Sequence, residues 1–176
     1  GKFQSKFPQI SMQLTIDSTR RICHLVARGD IDVAVVGGSI PAELGALVQH
    51  TTYSEDELAL ILPPEHPLAQ RREIGREDLH KLEFVSLNAA STVQSFQLQR
   101  MQECGIDTEG LRVRIEFNSI EAIKNAVQEG VGAAFVSRTA IEKELQLGLL
   151  HHAHIRGVTI TRVISVVTNP QRYFSR

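Results

Sequence analysis

Read from its first residue, the chain alternates between apolar runs of strand length and longer stretches whose apolar positions recur every three or four residues. Residues 1–7 read as the tail of a helix, which Pro8 stops. Residues 10–16 (ISMQLTI) alternate with the period of two that a half-buried strand shows. A helix is predicted over 19–28, with Ile22, Leu25 and Val26 on one face and Gly29 as its stop signal. The run 31–36 (IDVAVV) is almost continuously apolar, as expected of a buried parallel strand, and Gly37-Gly38 ends it. Strand 57–62 (ELALIL) closes at Pro63-Pro64, and a short helix near 76–81 precedes strand 83–87 (EFVSL). A longer helix is predicted from Ser91 or Thr92 to 103, with Gly105 beyond it. Strand 112–117 (RVRIEF) then leads to a helix over 119–129, capped by Gly130. Strand 133–136 (AAFV), a helix over 138–147 stopped by Gly148, and strand 158–167 complete the series before Asn169-Pro170.

Strands alternating with helices predict an α/β fold with mostly parallel sheets. The pattern falls into two blocks, before and after about residue 54, with no Pro/Gly-rich linker between them. Two lobes joined by extended crossover strands fit this better than a flexible hinge. The second lobe is complete in sequence, whereas the first lacks a strand before its opening helix and reads as truncated. The opening Gly-Lys-Phe-Gln falls inside an element, as in a piece of a longer protein.

Composition narrows the function. The 176 residues are 42% hydrophobic and 22% charged, with a formal net charge of -1. Two lobes with cores of their own are affordable at this length, and near-neutrality leaves no electrostatic footprint for a nucleic-acid backbone. Cys23 and Cys104 are far apart and form no CxxC pair, which reads as two unpaired thiols of a reducing cytosol. No run of eighteen apolar residues predicts a membrane span.

Several strands lead directly into hydroxyl-bearing helix starts: Ser18-Thr19, Ser91-Thr92, Ser119 and Ser137. The commonest role of each is helix capping. Helix starts at the carboxyl ends of strands are also where open α/β sheets bind ligands. Arg20 and Arg21 stand in the first turn of their helix, opposing its dipole, which is easier to understand with an anion or acid nearby. Glu55-Asp56-Glu57 reads as a solvated strand start rather than a metal site. His151-His152-Ala153-His154 places two histidines on one strand face, too few ligands for a closed zinc site. The chain has no GxSxG, HExxH, P-loop or GxGxxG motif.

Four segments, in order, resemble one family. Phe7-Pro8-Gln9-Ile10, Gly29-Asp30-Ile31-Asp32-Val33-Ala34, the run Leu60 through Pro63-Pro64-Glu65-His66-Pro67-Leu68, and Gly130-Val131-Gly132-Ala133-Ala134-Phe135-Val136-Ser137 resemble the effector-binding domain of LysR-type transcriptional regulators. Asp17-Ser18-Thr19-Arg20-Arg21-Ile22, the helix 118–127 and Asn169-Pro170-Gln171-Arg172-Tyr173 are similar to the cyanobacterial and plastid branch that regulates the RuBisCO operon and inorganic-carbon uptake. The chain departs from that branch at Asn88, where the branch carries an acid, and at Gln94-Ser95, where it carries an Arg-Lys pair. The second departure weighs against a doubly charged phosphate ligand.

The resemblance implies a two-lobed fold of the type 2 periplasmic-binding-protein kind. Lobe I would span residues 1–54, with 168–176 returning to it, and lobe II residues 55–167. It also implies a binding module rather than an enzyme, located in the cytoplasm or plastid stroma and without a membrane anchor. No cofactor is expected. The implied effector is a small anion such as 2-oxoglutarate, 2-phosphoglycolate, ribulose bisphosphate or NADP. Its pocket would fall on Ser18, Thr19 and Arg20 with Gly37 and Gly38 on the first lobe, and on the turn Asn88 to Ser91 and Thr92 on the second. The family forms dimers or tetramers and reaches promoter DNA through a winged helix-turn-helix that this chain lacks. Ile120, Ile123 and Val127 at helical spacing would serve the dimer interface, part of that stripe also packing on its own sheet. The competing readings are a solute-binding protein of a transporter and an enzyme on the same scaffold.

Overall fold

The computed structural model describes residues 2–89 and 91–172. A five-residue helix, α1 (Lys2–Lys6), opens the chain and ends before Pro8. Helix α2 (Thr19–Arg28) begins at Ser18, whose hydroxyl accepts from the Arg21 amide, and ends at Gly29 in the left-handed conformation. Strand β1 (Val33–Gly37) follows, and then β2 (Gln49–Leu62), fourteen residues long. Strand β3 (Glu83–Leu87), helix α3 (Thr92–Glu103), strand β4 (Arg112–Phe117) and helix α4 (Ile120–Gln128) fall where the periodicity predicts them. Strand β5 (Ala134–Ser137), helix α5 (Glu142–Gln146), β6 (His151–Ala153) and β7 (Thr161–Thr168) complete the order.

The sheets correct the expectation of mostly parallel pairing. Strands β2 and β7 run between the two halves in opposite directions, and they pair antiparallel over Gln49–Glu57 and Thr161–Thr168. β1 joins the other edge of β7 antiparallel, while β5 and β6 flank the apolar end of β2, also antiparallel. β3 and β4, joined by a helical crossover, are parallel, and a parallel bridge from Phe84 to Ala133 ties them to the segment entering β5.

Two further expectations fail for physical reasons. Residues 10–16 form no strand: Leu14 and Ile16 are 85% and 87% exposed. Alternation becomes a strand only beside a partner edge, and among the described residues none pairs with this segment. β1 is buried on one face alone, with Ala34 and Val36 inward and Val33 and Val35 exposed, because α2 covers only that side.

Apolar side chains gather in three clusters. Ile22, Cys23 and Val26 of α2 pack on Ala34, Val36 and Val167. Burial there pushes the Cys23 thiol above its usual range. The LALIL stretch of β2 is buried on both faces: Leu58, Leu60 and Leu62 meet Phe84, Met101 and Ile155, while Ala59 and Ile61 meet Ile123, Val127 and Val136 under α4. Ile123 and Val127 are 1% and 0% exposed, and Ile120 packs against the same cluster. Of the stripe expected at a dimer interface, Ile123 and Val127 thus pack on the chain's own sheet, the part expected to do so, and Ile120 is partly buried beside them. Among the described residues no helix is long and apolar enough to cross a membrane.

Candidate functional site

Between α2 and α3 lies a cleft of about 770 Å³. One wall is the start of α2 and the end of β1. Thr19 donates its hydroxyl proton to the Gly37 carbonyl at 3.1 Å, tying the helix start to the strand. Gly38 turns the chain with φ +88° and donates its N–H to Val163 O at 2.9 Å. Ser39, Ile40 and Pro41 continue along this rim.

The far wall is one flank of α3: Val93, Phe96, Gln99, Arg100 and Glu103, spaced as one helical face. The floor comes from His50 and Thr52 of β2 and from Thr161 to Val163 and Ser165 of β7. The walls meet where the Phe96 ring faces Gly38, so closely that a β-carbon on Gly38 would lie 2.7 Å from the ring edge.

Three arginines line the cleft, and each is held by an acid. Arg20 pairs with Glu43 at 2.7 Å on the open side. Arg100 pairs with Glu103 and donates Nε–H to Thr161 O at 3.1 Å, bridging α3 to β7. Arg162 donates Nε–H to Asp56 Oδ2 at 2.7 Å, with a second nitrogen equally near. Asp56 is 7% exposed, and its other oxygen accepts from Ser137 at 2.8 Å and Thr139 at 3.4 Å. The acidic run expected at a solvated strand start thus has its middle carboxylate inside the protein. A guanidinium carries five N–H donors, so each arginine is fixed by some and retains others for an anion. A cleft of this size, part apolar and part cationic, suits a metabolite bearing a negative charge.

Thr19, Arg20, Gly37 and Gly38 come together here as expected. Ser18 stands behind them as the helix cap. Asn88 and Ser91 do not reach the cleft: the Asn88 amide donates to Phe117 O at 2.9 Å, and its carbonyl accepts from Ser91 N at 2.8 Å. They shape the turn after β3, one turn short of the flank that forms the wall. The Thr92 side chain, Ala90 in the same turn and Tyr173 of the chain-end motif lie outside the described residues. Phe96, Arg100 and Arg162 escaped the sequence reading. The spacing of Val93, Phe96, Arg100 and Glu103 held the one available signal, a stripe passing from apolar to charged.

Elsewhere, His152 and His154 stack with ring centres 4.3 Å apart, and His152 lies 3.7 Å from Glu57. Burial, reinforced by His154, lowers the His152 pKa to about 4. Among the described residues no three His, Cys, Asp or Glu side chains converge as metal ligands.

The model of the LysR substrate binding domain matches residues 1–176. A probable RuBisCO transcriptional regulator of Chlorokybus atmophyticus is 53% identical over 174 residues, covering 99% of this chain and 56% of that protein. One of Synechocystis is 52% identical over 176 residues, covering 100% of this chain and 51% of that protein. The chain thus spans about half the length of these relatives. In fold, it superposes on the Synechocystis CcmR regulatory domain, solved in complex with 2-PG. The TM-score is 0.82 at 24% identity, over 99% of this chain and 81% of that one. Matched along its whole length and more than half identical to these regulators, the chain belongs to the LysR substrate-binding domain family.

Proposed function

We propose that this chain is the effector-sensing domain of a LysR-type regulator of carbon-fixation genes, a binding module that takes a small anionic metabolite into the cleft between α2 and α3. The observation that carries this reading is the cleft itself: Arg20 in the opening turn of α2 shares one cavity with Arg100 of α3 and Arg162 of β7, each held by its own acid. The relatives' names and the 2-PG held by a protein of the same fold support the class of ligand. The candidates are 2-phosphoglycolate, 2-oxoglutarate, ribulose bisphosphate and NADP. The family match along the whole chain and the high identity to named transcriptional regulators support a regulator over a transporter's solute-binding protein.

Lobe I comprises residues 1–54 with the return of 168–176, and lobe II residues 55–167, with β2 and β7 as the crossing strands. A ligand touching both walls draws the lobes together to the extent that it binds the closed arrangement better. In the whole protein that change biases a dimer or tetramer on promoter DNA, reached through a winged helix-turn-helix outside this chain. The site of action is the cytoplasm or the plastid stroma.

Calorimetric titration with the four candidates tests the reading, wild type against Arg20→Ala. Arg20 is largely exposed and among the described residues pairs with Glu43 at the surface, so its removal spares the core. Saturable binding of one candidate, weakened severalfold in Arg20→Ala, is expected. A folded wild-type protein that binds none of them contradicts the reading.

A further inference from the structure

Along the side of β7 that faces α2, residues 163, 165 and 167 read Val, Ser, Val. Val167 is sealed in the core beneath α2. Ser165 sits beside it, paired across the sheet with Val36 on one side and Thr52 on the other, and is 3% exposed. It nevertheless lines the cleft floor. Among the described residues its hydroxyl has no hydrogen-bond partner, nor is it one of the polar atoms sealed wholly from solvent. Two other buried polar side chains of this region are satisfied. Asp56 accepts from Arg162, Ser137 and Thr139, and the Asn169 amide donates to Val26 O and Ala27 O.

Since the hydroxyl bonds to no group of the described fold, alanine in its place would remove no internal hydrogen bond. The residue opens instead onto the cavity whose opposite wall is the first turn of α2. There Ser18 takes the Arg21 amide and Thr19 gives its proton to Gly37 O. Thr19 and Arg20 line the cleft, and as the first residues of α2 their amides have no partner within the helix. An anion at that turn lies over a floor where Ser165 both donates and accepts.

We infer that Ser165 is a specificity-determining ligand contact: its hydroxyl bonds an oxygen of the bound acid and favours acids with an oxygen to offer there. The inference rests on the reading of the cleft as the effector site. It places a ligand contact on β7, where none of the site residues expected from the sequence lies.

The test is calorimetric titration of the chain with 2-phosphoglycolate, 2-oxoglutarate, ribulose bisphosphate and NADP. Wild type is compared with Ser165→Ala and with Thr168→Ala as a control outside the cleft on the same strand. Thermal unfolding of each unliganded protein accompanies it. The expected result is a roughly tenfold weaker dissociation constant for Ser165→Ala, the scale of one lost hydrogen bond. Its unliganded melting temperature should equal or exceed that of wild type, and Thr168→Ala should bind as wild type does. Equal binding by Ser165→Ala and wild type overturns the inference and leaves the cleft reading intact. A lowered unliganded melting temperature in Ser165→Ala assigns the hydroxyl a structural role and also overturns it. Absence of binding by wild type removes the cleft reading and the inference together.

Discussion

Gly38→Ala separates two demands that meet at one residue. Gly38 has φ +88°, where a side chain costs about 1–2 kcal/mol from contact with its own backbone. Its new β-carbon would also stand 2.7 Å from Phe96 Cε2 and 3.0 Å from Cδ2. That second contact is with the far end of a side chain, so the ring can swing away, but only by moving along the α3 wall of the cleft. The backbone cost is the one that cannot be relieved. In a domain of this size each kcal/mol lowers the melting temperature by roughly 2–4 °C, so Gly38→Ala should melt about 2–8 °C below wild type. Thermal unfolding followed by circular dichroism measures this. The double variant Gly38→Ala/Phe96→Leu distinguishes the two costs, since a smaller side chain removes the clash and leaves φ unchanged. A partial recovery of stability, with weakened ligand binding in both variants, is expected. Wild-type melting of Gly38→Ala, or full recovery in the double variant, would refute the claim that the left-handed turn sets the rim.

Other perturbations have equally definite outcomes. Asp56→Ala leaves the Arg162 guanidinium without its buried partner and should cost about 3–5 kcal/mol in denaturant unfolding; a surface-like loss below 1 kcal/mol would contradict the buried network. Ser18→Ala removes the cap on the Arg21 amide and should cost about 1 kcal/mol, with ligand affinity changed less than by Arg20→Ala. Ile123→Ala should lose about 2–5 kcal/mol through a core cavity and leave the sedimentation coefficient of folded protein unchanged; dissociation of an oligomer without loss of stability would return that residue to an interface. His152 is neutral in the fold at any pH above about 4 but takes up a proton near pH 6.5 once unfolded. The unfolded chain therefore binds more protons between those values, and stability falls as pH drops from about 6.5 to 4. His152→Gln should flatten that part of the pH–stability profile, and an unchanged slope would place its origin elsewhere.

The elements with clear punctuation were legible from residues alone. α2 is bracketed by Ser18 and Gly29 and runs over the residues its periodicity predicts, and β3, α3 and β4 do so as well. Strand direction was not legible, because an apolar run reports burial and not the sense of its neighbour. LALIL is central yet lies between antiparallel partners. Nor does alternation guarantee a strand, since Leu14 and Ile16 alternate correctly and find no edge to join among the described residues. In the cleft, the lining from α2 and β1 was legible because a helix start and a glycine pair leave local marks. The α3 side was placed at the turn carrying Asn88 and Ser91, whereas side chains at 93, 96 and 100 form the wall. Arg162 and Ser165 could not be found that way, since their place in the cleft comes from the pairing of β7 with β2, more than a hundred residues away in sequence.

The measurement nearest the central claim is hydrogen–deuterium exchange of the chain with and without the candidate that binds. Protection concentrated at the first turn of α2, at residues 37–41 and along α3 is the predicted result. Saturable binding that protects α4 or the β4 edge and leaves those three segments unchanged would contradict the placement of the ligand between the lobes.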